Sequence, residues 1–181
     1  MHRRIVPRLA EGRCFLLGDE GHLSSPFGGE GLNSGLQDAH NLAWKLALHL
    51  RGRARPRLLE SFATERLSAD RHVLQVSDTL HKLAHNAVES ARTGSFPAPP
   101  APEDAAALVR SRAMLDVSYA DSPLIGEYLA PGGPTLPPPA PGDRYPDRIS
   151  LTGTLHKVLL IGAPYEADLA RMRRRWAGLV D

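Results

Sequence analysis

The chain has one cysteine, Cys14, in 181 residues. An internal disulfide framework is therefore excluded, and a reducing compartment is the simpler reading. Set between Arg13 and Phe15 in an apolar run, Cys14 reads as a small buried core residue and not as a nucleophile. No apolar run approaches membrane-spanning length; the longest, around Val158 to Ile161, is strand-sized. The basic start Met1-His2-Arg3-Arg4 leads into no apolar signal core. Charge of one sign is also lacking. The formal balance is +2, which makes no case for nucleic acid or a membrane as partner. The arginines at 51, 53, 55 and 57, and those at 171, 173, 174 and 175, have no interleaved aromatics and read as solvated surface. A soluble, cytoplasmic protein is expected.

What the chain does have is 16 glycines and 16 prolines, with 42% hydrophobic residues, a loop-rich globular composition. Cys14-Phe15-Leu16-Leu17 reads as a short buried strand ending in a glycine turn at Gly18-Asp19. Residues 20–33 are rich in Gly, Ser and Pro and read as a functional loop. A helix follows, capped by Asn33 or Ser34 and ended by Gly52. Its apolar face is read from Leu32, Leu36, Ala39, Ala43, Leu46, Ala47 and Leu50 at three- and four-residue spacing.

Pro56 opens a second helix whose pattern runs through Val73, Val76, Leu80, Leu83 and Val88 to Thr93-Gly94. A shorter helix is expected over Pro102 to Leu115, with Glu103 and Asp104 in its first turn. Residues 130–148 are Pro- and Gly-rich, and beyond them Lys157 to Gly162 reads as a strand and Tyr165 to Trp176 as a helix. The expected division is 1–95, 96–145 and 146–181.

The stretch able to carry chemistry is the strand, the turn with Asp19, the glycine loop Gly28-Gly29-Glu30-Gly31 and the helix start at Leu32-Asn33. Glycines let backbone amides approach a flat ligand or a phosphate. A helix N-terminus offers unpaired N–H groups and a positive dipole, and Asp19 can accept hydrogen bonds from the hydroxyls of a sugar alcohol. A phosphate-binding P-loop is excluded because no lysine follows Gly31. A dinucleotide fingerprint is excluded because the third glycine falls one place late, at Gly35. Taken alone, the loop could equally be an ordinary turn with a helix cap. His81 and His85 lie four apart, a metal-compatible spacing, but with no third ligand in register a packing or solvated role is expected. Phe27 reads as a packing residue, His22 either faces a ligand or bonds to nearby backbone, and Asp143 and Asp147 read as turn formers. No metal site is expected.

Gly12-Arg13-Cys14-Phe15-Leu16-Leu17-Gly18-Asp19, His22, Pro26-Phe27-Gly28-Gly29, Gly31-Leu32-Asn33, Gly35-Leu36-Gln37-Asp38, Asn41-Leu42 and Trp44-Lys45-Leu46 together resemble the FAD-dependent aromatic hydroxylases, in the phenol and polyketide hydroxylase branch of the group A flavoprotein monooxygenases. Leu58, Phe62, Glu65 and Arg66 extend the likeness. Pro141-Gly142-Asp143-Arg144-Tyr145-Pro146-Asp147 resembles the start of that branch's thioredoxin-like C-terminal domain.

The resemblance implies a mostly α fragment of an α/β FAD-binding fold of the glutathione-reductase type, followed by a partial thioredoxin-like segment. It implies FAD as cofactor, NAD(P)H as co-substrate and a small aromatic or polyketide-like substrate, hydroxylated through a flavin C4a-hydroperoxide. It further implies that Asp19 binds the ribityl chain and Pro26 lies against the isoalloxazine. Gly28, Gly29, Gly31, Leu32 and Asn33 would line the pyrimidine end of the ring. Glu30 departs from the family pattern and is left out of the set. No catalytic base is assigned. The family's adenine-nucleotide fingerprint is not found in residues 1–181, so a piece of a longer enzyme is expected. The alternatives are a silent remnant or interaction module, and a related halogenase or dehydrogenase.

Overall fold

A computed structural model describes residues 3–125 together with 142, 143, 170, 171, 174 and 175. The chain divides into two compact units, Met1–Tyr145 and Pro146–Asp181. The first unit carries four short strands, β1 (Arg4–Ile5), β2 (Ala10–Glu11), β3 (Cys14–Phe15) and β4 (His22–Leu23), and three helices, α1 (Glu30–Leu50), α2 (Pro56–Thr93) and α3 (Pro102–Arg112). In the second unit the expected strand at 157–162 lies outside the described residues. Of the expected helix at 165–176, Ala170, Arg171, Arg174 and Arg175 are described and are helical.

β1 pairs antiparallel with β4, Arg4 opposite Leu23, and β2 pairs antiparallel with β3, Ala10 opposite Phe15. The expected buried strand is thus shortened to Cys14–Phe15, and Cys14 is exposed. The reason is the pleat: alternate residues of a strand face opposite sides, and here Phe15 turns inward while Cys14 turns to solvent. Between β3 and β4 a single 3₁₀ turn, Gly18–Glu20, reverses the chain; the Gly21 N–H closes it on the Gly18 carbonyl at 2.8 Å.

α2 is the long element, 38 residues. Pro56 in its first turn needs no hydrogen bond there, and Gly94 ends it in the left-handed conformation (φ 70°), its N–H bonded to the Ser90 carbonyl. α3 stops at Arg112, three residues short of the expected end, and Glu103 and Asp104 stand in its first turn as expected. Along α2, Val73 and Val76 are buried, whereas Leu83 and Val88 in the last turns are exposed.

α1 and α2 run antiparallel. The pairs Ser34–Asp70, Asp38–Arg66, Asn41–Glu65 and Lys45–Ser61 descend α2 as they climb α1. The apolar core lies toward the α1 C-terminus. Leu9, Leu42 and Phe62 are its buried members, packed by Val6, Phe15, Leu17, Leu46 and Leu59 among others. Phe15 meets Phe62 edge to face at 5.9 Å. Burying one such ring contributes about 2–3 kcal/mol.

The face of α1 is the main departure from expectation. Its buried residues are Ser34, Asp38, Leu42 and Lys45. Leu32, Leu36 and Leu50, expected inside, are 76%, 61% and 75% exposed, and Ala39 and Ala43 are exposed too. The apolar stripe exists, but only Leu46 of it packs on the core, and α1 turns most of the rest away from α2. The face against α2 is held by polar pairs, with Leu42 packed on Phe62 among them.

Candidate functional site

Gly28 and Gly29 take positive φ values of 104° and 69°, and Gly29 is the residue from which α1 springs. A side chain at Gly28 would be strained by that backbone and would put its Cβ 2.7 Å from Leu80 Cδ1. The left-handed Gly29 turns the chain into the helix at Glu30. Asn33 and Ser34, one of which was expected to cap α1, therefore lie inside the helix, and Gly29 takes the cap position. Among the described residues no side-chain cap is made at the helix start, which leaves its first N–H groups for other partners.

The sequence-predicted residues fall on two neighbouring segments. Asp19 lies in the 3₁₀ turn and is exposed; Pro26, Gly28, Gly29, Gly31, Leu32 and Asn33 lie on the loop and first turn of α1. Pro26, Gly29, Leu32 and Asn33 are exposed, and Gly28 and Gly31 half-buried. The two segments touch where α1 crosses the turn: a Cβ on Gly35 would meet Gly18 Cα at 3.2 Å, so the helix backbone approaches the turn backbone directly.

Beneath this surface lies a buried ionic cluster of which Asp38, His22 and Arg66 appeared in the sequence pattern without a role. Asp38 is fully buried. Its Oδ2 accepts the Gly18 N–H at 3.0 Å and lies 2.8 Å from His22 Nε2; its Oδ1 accepts Arg66 Nε at 2.6 Å. Arg66 Nη2 donates to Asp70 Oδ1 at 3.1 Å, and Ser34 Oγ donates to the same oxygen at 2.6 Å. Arg66 Nη1 also donates to Tyr119 Oη at 3.1 Å.

The protonation balance follows from these contacts. Burial disfavours the Asp38 carboxylate, but hydrogen bonds from His22, Gly18 and Arg66 outweigh it and lower its pKa. Burial likewise opposes a charge on His22; the bond to Asp38 and the nearby Asp70 win and raise its pKa. For Asp70 burial prevails over the bonds from Ser34 and Arg66, and its pKa is raised. Its Oδ2 has no hydrogen-bond partner among the described residues. His22, Asp38 and Asp70 bring potential metal-ligand atoms within 4.8 Å of one another. The Arg66 guanidinium already supplies the cation between the two carboxylates, so a divalent ion would add charge where charge is balanced.

A second cluster lies further along α1. Lys45 Nζ donates to Glu65 Oε2 and to Ser61 Oγ, the latter at 2.6 Å; Glu65 also accepts from Asn41 and Ser122.

The loop itself is tied to α2. Ser77 Oγ donates to the Ser25 carbonyl at 2.9 Å and to the Phe27 carbonyl at 3.3 Å. His81 Nδ1 lies 3.3 Å from Ser25 Oγ, and its ring stands edge-on to Phe27 with centroids 5.0 Å apart. His81 thus has the packing role expected of it, against the loop; His85 is exposed. The signal for Ser77 and His81 was their four-residue spacing on the same helical face as Arg66 and Asp70, visible only once α2 is known to cross the loop.

Comparison with known proteins bears on this surface. Residues 1–77 match the family model described as FAD binding domain. Over 79 residues the chain is 44% identical to 6-methylpretetramide 4-monooxygenase of Streptomyces rimosus, covering 44% of this chain and 14% of that protein. Over 81 residues it is 41% identical to pentachlorophenol 4-monooxygenase of Sphingobium chlorophenolicum, covering 45% of this chain and 15% of that one. The chain therefore spans about one-seventh of the length of these relatives. Among solved structures, BexE, from work on oxidation during BE-7585A biosynthesis, matches with a TM-score of 0.63 at 26% identity over 99% of this chain and 37% of that one. No helix among the described residues is long and apolar enough to cross a membrane.

Proposed function

We propose, from the match of residues 1–77 to the family model described as FAD binding domain, that the chain supplies the flavin-facing surface of an FAD-dependent aromatic monooxygenase. The observation that carries this reading is the uncapped start of α1 behind a left-handed glycine, set beside the exposed Asp19. The residues fit the group. Asp19 accepts hydrogen bonds from ribityl hydroxyls, and Pro26 offers a flat apolar contact to the ring. Gly28, Gly29, Gly31, Leu32 and Asn33 offer backbone or amide contacts at its pyrimidine edge. The positive end of the α1 dipole favours negative charge there, which is the charge a reduced flavin carries. When bound, FAD supplies the redox chemistry, with NAD(P)H as reductant and oxygen as oxidant. A small aromatic or polyketide-like compound is the substrate class, in keeping with the names of the two relatives. The finer fold we assign is the C-terminal part of an FAD-binding domain followed by the start of a thioredoxin-like one, in the cytoplasm.

Titration of the protein with FAD, followed by flavin fluorescence, tests the reading. Asp19→Ala is expected to raise the Kd about ten- to a hundredfold, the ~1.5–3 kcal/mol of hydrogen bonds to a charged acceptor. An unchanged Kd removes Asp19 from the site.

A second reading is favoured by the outward stripe of Leu32, Leu36 and Leu50: a module that binds no flavin and serves association alone. It predicts a colourless protein that ignores added FAD.

A further inference from the structure

Four polar residues of α2, Arg66, Asp70, Ser77 and His81, recur at spacings of four, seven and four and so share one face of the helix. Arg66 and Asp70 reach the 3₁₀ turn through a buried intermediary: Arg66 Nε donates to Asp38 at 2.6 Å, and Asp38 accepts the Gly18 N–H at 3.0 Å. Asp70 takes up the other end of the same guanidinium. Ser77 and His81 reach the loop directly. The Ser77 hydroxyl donates to the Ser25 and Phe27 carbonyls, which flank Pro26, and His81 meets the Ser25 hydroxyl and the Phe27 ring.

We propose that this ridge of α2 is a positioning element for the cofactor surface. Through Asp38 it holds the turn that presents Asp19, and through Ser77 and His81 it holds the loop that presents Pro26 and Gly28. One rigid helix thereby fixes the spacing of two segments joined only by the two-residue strand β4. The inference rests on the reading of Asp19 and Pro26 as flavin-facing. Arg66 and Ser77 lie eleven residues apart, about 16 Å along the helix, so the two holds sit at separate points beneath the surface.

Plain helix packing does not account for the pattern. A ridge that served burial alone would be apolar, as Val73 between them is. Instead Arg66, Asp70 and Ser77, each 1% exposed, spend their polar atoms on the turn, on the loop backbone or on the residues that hold them. A buried hydroxyl aimed at two loop carbonyls, one on each side of Pro26, fixes backbone direction, which an apolar contact does not.

The test uses hydrogen exchange of the free protein and FAD titration, on Ser77→Ala and Asp38→Asn, each also in the Asp19→Ala background. Asp38→Asn is expected to speed exchange in residues 16–23, and Ser77→Ala in residues 24–31, with the rest of α2 as protected as before. Each should weaken FAD about three- to tenfold. Because Asp38 acts through Asp19, Asp19→Ala/Asp38→Asn should bind no more weakly than Asp19→Ala alone. Exchange unchanged in both segments overturns the proposal, as does faster exchange with an unaltered Kd. A silent Asp19→Ala refutes the flavin-facing reading itself, whereas an Asp19→Ala effect beside silent ridge variants refutes only the ridge. If Asp38→Asn does not fold, Ser77→Ala removes one hydroxyl and no charge, and decides the matter at the loop.

Discussion

Replacing Glu65 by glutamine should be among the most damaging small changes in the protein, and its cost should fall as pH rises. Lys45 is fully buried, and its ammonium donates to Glu65 and Ser61. Burial lowers the Lys45 pKa, while the hydrogen bond and charge of Glu65 work to raise it. Glu65→Gln keeps one amide oxygen to accept from Asn41 and turns its N–H toward the Ser122 hydroxyl, but removes the compensating charge. An uncompensated buried cation costs about 3–5 kcal/mol. Without Glu65 the Lys45 pKa falls further, so raising the pH lets the amine shed its proton inside the fold. The penalty should then shrink toward the ~1 kcal/mol of a lost hydrogen bond. Removing the cation should do the same at constant pH. Lys45→Met/Glu65→Gln keeps a stem of similar length, and Ser61 still donates to the Leu58 carbonyl at 2.8 Å. Urea unfolding followed by helix dichroism at pH 7 and pH 10 measures all three. A Glu65→Gln loss below about 1 kcal/mol at pH 7, or a double variant less stable than the single, would refute the reasoning.

Phe62→Ala empties the centre of the apolar cluster and should cost about 3–5 kcal/mol in the same unfolding experiment; a loss below 1 would show that the hairpins close over the gap. Gly28→Ala combines a φ of 104° with a 2.7 Å approach to Leu80 and should cost about 1–3 kcal/mol as well as weakening FAD. Gly94→Ala, at φ 70° in open space, should cost only about 1 kcal/mol and leave FAD binding alone, so equal effects would contradict the packing at Gly28. His22 has a folded pKa above its ordinary 6.5, so its stabilising contribution is complete below about pH 6.5 and is lost as pH rises through the raised value. Comparing His22→Gln with the parent by urea unfolding at pH 6 and pH 9 should show the larger difference at pH 6.

The sequence made the helices legible because their punctuation is local: Pro56 and Gly94 bracket α2 as proline and glycine should, and Gly52 follows α1. It made the glycine loop legible as well, since few residues other than glycine hold φ values such as that of Gly28. What it could not give was the side of α1 that meets α2. A periodic stripe says which residues share a face but not which neighbour covers it, and Leu32, Leu36 and Leu50 were assigned to the inside for that reason. A signal was present in the polar residues. Ser34, Asp38, Asn41 and Lys45 also recur at helical spacing, and α2 offers Ser61, Glu65, Arg66 and Asp70 in reversed order with complementary charge. Read as a pair, the two patterns predict an antiparallel polar interface. Cys14 was misplaced for a related reason: an apolar run looks buried on both sides, while the strand it forms has one face in solvent.

The division of labour along α1 explains why the interface near the loop is polar at all. Toward the α1 C-terminus, Leu42, Leu46, Leu59 and Phe62 supply stability through contacts that tolerate small shifts. Toward its N-terminus, Ser34, Asp38, Arg66 and Asp70 form bonds that a slip of one residue would break together, leaving carboxylates and a guanidinium buried without partners. Such a network adds little net stability over an apolar equivalent. What it fixes is register. At this end register matters most, since sliding α1 along α2 would move the Gly18 turn against the loop held by Ser77. The Asp38–Arg66–Asp70 contacts therefore stand where a small displacement would shift the Gly18 turn against the loop, while Lys45 and Glu65 add a second polar pair among the apolar contacts further along α1.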